Sequence, residues 1–381
     1  MSGPSLLDLW LARACGAREP RQLAARLREA QAAALRRTLR YALERSAFYA
    51  RRLAQCDLNL RGPEDLPCLP FTQPSDLRNW RDFLCVSQGE VRRMVTLQTS
   101  GTTGSPKRLA FTDRDLARTR DFFRAGMSQL VGPGQRLAVL LPGAERPDGV
   151  ADLLRQALAA LGVAVAVPPP AGAHSGADHA PDRHIWGDAD HLRRWLRNFA
   201  PHCLVAAPAQ LALLLRIFPE QGPPGLRGVL SSADRLDPGL ARRVRHAWGC
   251  ALLDHYGLTE TAFGCAVECA AHDGYHLREL DVLAEIVDAA SGAPLPPGEA
   301  GEVVITTLDR EAMPLIRYRT GDVAALLPGP CACGSPLRRL GPVLGRLEWV
   351  GSGGTAQMRL AHPAKGAQAR IAARAAIEGA V

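Results

Sequence analysis

The chain has 381 residues, 47% of them apolar and 22% charged, with a formal net charge of +8 at pH 7. This predicts a globular protein of one large domain or two to three subdomains; with no run of about 18 apolar residues and no basic, then apolar leader, it excludes a membrane span and points to the cytosol. The positive charge is spread along helices rather than gathered in a basic block interleaved with aromatics, which make up only 5% of the chain, so a nucleic-acid partner is excluded too.

In chain order, Leu23, Leu27, Leu35, Leu39 and Leu43 recur at helical spacing and predict a long amphipathic stretch over 20–55, with arginines on a solvated face. Prolines through 66–72 interrupt helix, and the next helix begins within 74–80. Residues 91–97 and 109–112 read as strands around a Ser/Thr/Gly loop, a hairpin-like flap, with a helix opening near Asp113. A strand at 136–141, a helix at 148–161 and a strand at 163–167 follow, the order of a parallel sheet covered by helices. Residues 168–190 carry no apolar period and read as a mobile loop. His174, His179, His184 and His191 lack metal-ligand spacing there and read as solvated histidines. Helix and strand resume over 192–199, 203–206 and 210–218. Gly228 then opens a strand that runs into the small residues Ser231, Ser232 and Ala233, where a flat base can approach the backbone. Strands such as 282–287 and 302–306 place a smaller β subdomain over about 277–344. The fold class is therefore α/β, with two helix-covered β-sheets and a smaller β subdomain.

Three segments carry the chemistry. The first, Thr99-Ser100-Gly101-Thr102-Thr103-Gly104-Ser105-Pro106-Lys107, concentrates hydroxyls, flexible backbone amides and one ammonium where a polyphosphate can be wrapped. Ser105 and Pro106 separate the last glycine from Lys107, so it is not a Walker loop; the plain alternative is a surface turn. Of 46 basic residues only Lys107 and Lys365 are lysines. A compact ammonium on a flexible stem follows a moving phosphate better than a planar guanidinium does. The second segment, 251–261, is a buried strand ending in a polar turn with Asp254, Tyr256, Thr259 and Glu260. A ring, a hydroxyl and a carboxylate within five residues can stack on a purine, bond an α-phosphate and hold Mg²⁺; a helix cap at Thr259 is the compatible alternative. In the third, 316–323, Asp322 follows a Thr-Gly turn and can bond vicinal ribose hydroxyls.

In this order and at these separations the segments resemble the adenylate-forming superfamily of acyl-CoA synthetases, luciferases and adenylation domains, and within it the phenylacetate-CoA ligase branch. Ser46-Ala47-Phe48-Tyr49, Leu69-Pro70-Phe71-Thr72, Gly298-Glu299, Gly301-Glu302-Val303-Val304 and Gly345-Arg346 add to the resemblance, which covers about 35–348. It implies a ligase that couples a carboxylic acid to ATP, releases pyrophosphate, and passes the acyl group from the adenylate to a thiol such as coenzyme A. It assigns Thr99 to Lys107 to the β- and γ-phosphates, Thr259 to the α-phosphate and Glu260 to Mg²⁺. Ser232 and Ala233 flank the adenine with Tyr256, Asp254 lies near its amino edge, and Asp322 and Arg346 take the ribose. The acid, a small and possibly aromatic one, is placed among 206–209, Ser231 and 256–264, where Gly257 and Gly264 leave space and Phe263 forms a wall.

Ten cysteines lack the dense spacing of a disulfide scaffold and read as reduced. Cys269, His276, Cys331 and Cys333 suit a structural, tetrahedral Zn²⁺, although Cys-X-Cys is tighter than the usual spacing and unrelated reduced cysteines are the alternative; the related ligases share a similar pattern. The resemblance also implies a mobile C-terminal domain with an assisting lysine. The expectation here is an adenylate-forming domain over 1–345 followed by a short divergent tail, 346–381, without a sheet pattern, in which Lys365 is wrongly framed for that role. A separate polypeptide supplying the missing half, or an ATP- or AMP-binding regulatory protein without turnover, is the corresponding alternative.

Overall fold

The computed structural model describes residues 5–97, 107–144, 149–169, 189–350 and 357–361. Its chain divides into two compact units: the first holds 1–115, 259–262 and 273–381, the second 116–258 and 263–272.

The first unit opens with α1 (Leu6–Cys15), α2 (Leu23–Arg45), α3 (Ala47–Arg52) and α4 (Trp80–Phe83). Leu23, Leu27, Leu35 and Leu39 are buried along one face of α2, as their spacing requires. The single amphipathic stretch expected over 20–55 is in fact two helices. Ser46 adopts extended backbone and accepts from the Tyr49 amide, capping α3, while its own hydroxyl donates to the Asp82 carbonyl at 2.8 Å. Strands β1 (Arg93–Leu97) and β2 (Lys107–Phe111) pair antiparallel with Leu97 opposite Lys107, which is the hairpin read from the sequence; its tip, 98–106, lies outside the described residues.

Helix α5 (Asp113–Met127) leads into the second unit, which contains β3 (Arg136–Leu140), α6 (Val150–Leu158), β4 (Ala164–Ala166), α7 (Ala189–Phe199), β5 (Cys203–Ala206), α8 (Pro208–Ile217), β6 (Gly228–Ser231), α9 (Pro238–Trp248), β7 (Ala251–Tyr256) and β8 (Ala266–Glu268). Strands β4, β3, β5, β6 and β7 lie side by side in parallel, and β8 closes that edge antiparallel to β7. Leu137 to Leu140 and Cys203 to Ala206 are buried at every position, the pattern of strands covered on both faces. Local signals agree with the fold. Asp237 caps α9 through the Gly239 and Leu240 amides, Pro238 fills its first turn, and Gly249 ends it in the left-handed region. The loop expected over 168–190 falls mostly outside the described residues, but Ala189 already starts α7 and His191 lies within it.

The chain returns to the first unit with β9 (Tyr275–Leu277), β10 (Val282–Val287), β11 (Gly301–Thr307), β12 (Tyr318–Ala324), β13 (Arg339–Leu340), β14 (Gly345–Val350) and β15 (Gln357–Ala361). Strands β10, β11, β12, β14 and β15 form an antiparallel sheet in that order, while β9 pairs with β13. This sheet is the small β subdomain, and it corrects the expectation of a tail without sheet pattern. Asp322 pairs with Arg346 and Leu347 with Leu360, so two strands follow the 344 boundary. Partners already folded upstream make strands of a segment whose Ala/Gly/Arg composition hides them. Among the described residues no helix is long and apolar enough to cross a membrane, and all ten cysteines are free thiols.

Arg317 anchors the entry to β12. Its guanidinium donates to both carboxylate oxygens of Glu285 at 3.1 and 3.0 Å, to the Leu69 carbonyl at 2.6 Å and to the Pro67 carbonyl at 3.2 Å, and it lies 4.0 Å from the Phe71 ring centroid. Removing one partner of such a buried pair leaves an uncompensated charge. Glu285→Ala is therefore expected to lower unfolding stability by about 3–5 kcal/mol in urea titration; a loss below about 1 kcal/mol, the surface-pair range, would contradict the anchoring role.

Candidate functional site

In the first unit the structure brings Lys107, Glu260, Asp322 and Arg346 into one neighbourhood. Lys107 is half-buried at the start of β2, and burial, the largest cause, lowers its ammonium pKa; Glu260 pulls the other way, and Arg346 and Arg78 add to the lowering. Thr259 and Glu260 begin a one-turn 3₁₀ helix, in place of the longer helix whose cap was the alternative reading of Thr259. Glu260 is buried, and its Oε1 accepts from the Tyr318 hydroxyl at 2.8 Å. Burial, with the Glu260 charge next, raises the Tyr318 pKa, so the phenol remains a donor.

Asp322 stands on the same strand as Tyr318. Gly321 takes φ +79°, the Thr320 hydroxyl accepts from the Asp322 amide at 3.0 Å and donates to the Val303 carbonyl at 2.7 Å, and these fix a bulge inside β12, where its register against β11 shifts, in place of the turn expected from the sequence. Opposite it on β14, Arg346 places Nε 3.6 Å from Asp322 Oδ1 and donates through Nη2 to the Thr320 carbonyl at 3.1 Å. Asp322 is buried and Arg346 exposed, so the pair presents a buried carboxylate beside a solvent-facing cation. Thr99, Ser100, Gly101, Thr102, Thr103 and Gly104 lie outside the described residues.

The second unit holds the residues assigned to the purine. Ser231 and Asp254 are register partners at the C-terminal ends of β6 and β7, the edge at which open parallel sheets take ligands. Ser232 follows, and Ala233 has φ +73°, a strained conformation for a residue with a Cβ. Tyr256 ends β7 and is buried. The Asp254 amide donates to Glu268 Oε2 at 3.0 Å. Sequence reasoning passed over His255 between them. Its Nδ1 lies 3.0 Å from Ser232 Oγ, its Nε2 is sealed from solvent without a partner among the described residues, and burial pushes its pKa down to about 4. The space expected at Gly257 and Gly264 is filled. A Cβ on Gly257 would lie 2.5 Å from His255 Cε1 and 2.7 Å from the Phe263 carbonyl oxygen, and one on Gly264 would lie 2.7 Å from the Phe122 ring. These glycines permit close packing rather than opening a pocket.

Of the proposed zinc ligands, His276 on β9 and Cys331 and Cys333 in the loop before β13 offer donor atoms within 4.8 Å of one another, with Cys333 Sγ 3.4 Å from His276 Nε2. Cys269, also buried, follows β8 in the second unit.

The family profile described as AMP-binding enzyme matches residues 92–308. The phenylacetate-coenzyme A ligase of Thermus thermophilus is 31% identical over 334 residues, covering 85% of this chain and 71% of the relative. That of Pseudomonas putida is 32% identical over 340 residues, with 84% and 71% covered. Among solved structures, an open conformation of 2-hydroxyisobutyryl-CoA ligase in complex with 2-HIB-AMP and CoA aligns with a TM-score of 0.71 at 21% identity, covering 85% of this chain and 70% of that one, which establishes the shared fold.

His255 generates a pH dependence. An imidazole whose folded pKa lies near 4, against 6.5 unperturbed, contributes stability that is present above 6.5 and lost as pH falls toward 4. In thermal melts, wild type is expected to lose stability over that window more steeply than His255→Gln; parallel pH profiles would contradict the burial of a neutral ring.

Proposed function

The chain belongs to the AMP-binding enzyme family, and on that premise we propose that it activates a small carboxylic acid with ATP and transfers the acyl group to coenzyme A, in the manner of the phenylacetate-coenzyme A ligases it resembles. The observation that carries this reading is the gathering of Lys107, Glu260, Asp322 and Arg346, one cation for phosphate, one carboxylate for a metal, and one carboxylate with its neighbouring cation for a diol, within a single unit.

The chemistry follows from leaving groups. A carboxylate oxygen attacks the α-phosphorus, the bond to the bridging oxygen breaks, and pyrophosphate departs. A thiol sulfur then attacks the acyl carbon, loses its proton to solvent, and AMP leaves. Lys107 and Thr99 to Gly104 would neutralise the β- and γ-phosphates, and Thr259 would donate to the α-phosphate. The donor set fits a hard cation: Glu260 offers one carboxylate whose other oxygen is already bonded, and Mg²⁺ takes one or two carboxylates together with substrate phosphates. Mg²⁺ bound there would supply charge neutralisation at the transferring phosphate. Asp322 would accept from the ribose hydroxyls beside Arg346. Ser232, Ala233, Asp254 and Tyr256 would receive the purine. The acid would be received among 206–209, Ser231 and 256–264, without the room expected at Gly257 and Gly264.

We propose further that Cys331, Cys333 and His276, with Cys269 as the fourth ligand assigned by the sequence, hold a structural Zn²⁺; thiolate and imidazole donors are what that ion prefers.

Acid-dependent exchange of labelled pyrophosphate into ATP tests the reaction, because exchange requires adenylate formation and binding alone does not. Exchange is expected with at least one acid of an aryl and short-chain panel, and Asp322→Ala should weaken ATP binding by more than about tenfold in calorimetry, the scale of lost bonds to a buried carboxylate. ATP binding without exchange for any acid would overturn the ligase reading. For the metal, elemental analysis of protein purified without chelator should find about one zinc per chain, reduced in Cys331→Ser; zinc-free folded protein would remove the proposal.

A further inference from the structure

Two motifs that the sequence singles out, Ser46 to Tyr49 and Leu69 to Thr72, have no part in the nucleotide assignment. The structure gives them one. Thr72 bridges in parallel to Tyr318: its amide donates to the Arg317 carbonyl at 2.9 Å and its carbonyl accepts from the Arg319 amide at 3.0 Å. The Thr72 hydroxyl donates to the Ile316 carbonyl at 2.6 Å, and the Tyr49 hydroxyl lies 3.0 Å from Thr72 Oγ1 while accepting from the Ile316 amide at 2.9 Å. Tyr49, Thr72 and Tyr318 are each 1–2% exposed. The backbone from Ile316 to Arg319 is therefore held on both sides of Tyr318 by buried, fully satisfied groups, which is how a polar network specifies one geometry.

That geometry has a recipient. The Tyr318 hydroxyl donates to Glu260 Oε1, and the guanidinium of buried Arg310 donates to the Glu260 main-chain carbonyl at 3.1 Å, so the residue is fixed at its carboxylate and its backbone. Glu260 Oε2 accepts no such bond among the described residues. A phenol restrains a carboxylate without cancelling its charge, whereas an arginine in that place would compete with a cation for it.

We propose that Tyr318 is the positioning residue for the metal-binding carboxylate: the Tyr49–Thr72 clamp fixes Tyr318, Tyr318 fixes Oε1 of Glu260, and Oε2 is thereby presented to the divalent cation of the nucleotide substrate. The inference rests on the reading of Glu260 given above. Partners that orient a metal ligand are worth about 10–100-fold in metal affinity or activity.

The test is the Mg²⁺ dependence of pyrophosphate exchange at saturating ATP and acid in the full chain, for wild type, Tyr318→Phe, Thr72→Val and Glu260→Gln, with each variant's fold checked by circular-dichroism melting. Tyr318→Phe is expected to raise the Mg²⁺ concentration for half-maximal exchange about tenfold or more, with most of the rate recovered in excess Mg²⁺ and the KM for the acid unchanged. Thr72→Val should shift it in the same direction by less, and serves as the readout should Tyr318→Phe not fold. A Mg²⁺ dependence altered by Glu260→Gln but not by folded Tyr318→Phe or Thr72→Val would overturn the positioning role and leave Glu260 in place. A dependence unaltered by Glu260→Gln would overturn both.

Discussion

The candidate site depends on how the chain enters β12. Arg317 sits at φ +45°, a conformation that costs free energy for any residue with a side chain, and it is kept there because its guanidinium has four oxygen acceptors out of solvent. Once that residue is fixed, the next five follow. Tyr318 is turned toward Glu260, Arg319 pairs with Glu302, Thr320 closes on Val303, and Asp322 arrives opposite Arg346. A run of six residues thus carries a structural anchor at one end and the buried carboxylate of Asp322 at the other, and the strain at the first is offset by contacts that do not touch the second.

Much of this was legible in the sequence, for a physical reason. The elements that read well are those whose signal is local: the leucine stripe of α2, the unbroken apolar runs of the parallel strands, and the paired strands around 98–106. The residues grouped by motif in the first unit, Lys107, Glu260, Asp322 and Arg346, also come into one neighbourhood: Asp322 and Arg346 are register partners on β12 and β14, and Lys107 feels the charges of Glu260 and Arg346. What could not be read is pairing between distant segments. Nothing in the composition of 345–361 marks it as two strands, since its partner β12 supplies the register. Nor does any local pattern join Thr72 to Tyr318, 246 positions later, although both stood inside quoted motifs.

Glycine was the residue most easily misread. At Gly257 and Gly264 an absent side chain suggested room for a substrate, yet neighbouring atoms occupy the volume. Gly321, by contrast, is required for its backbone angle, although it serves a bulge inside β12 and not the turn read from the Thr-Gly pair. The difference is whether the need is for conformation, which neighbours in sequence reveal, or for volume, which only neighbours in space do. His255 belongs to the second kind: its surroundings, not its position in a motif, keep it uncharged.

The order of the antiparallel sheet, β10, β11, β12, β14 and β15, makes β12 the middle strand, paired with β11 on one side and, at Asp322 and Val323, with β14 on the other. Sheets loosen from their rims inward, and the opening of a central ladder approaches global unfolding in free energy. The carboxylate of Asp322 is thus carried by the part of the sheet that frays last. Amide-proton exchange along Tyr318 to Ala324 should be among the slowest in the unit, and thermal fluctuation at the rim strands β10 and β15 can proceed without disturbing it.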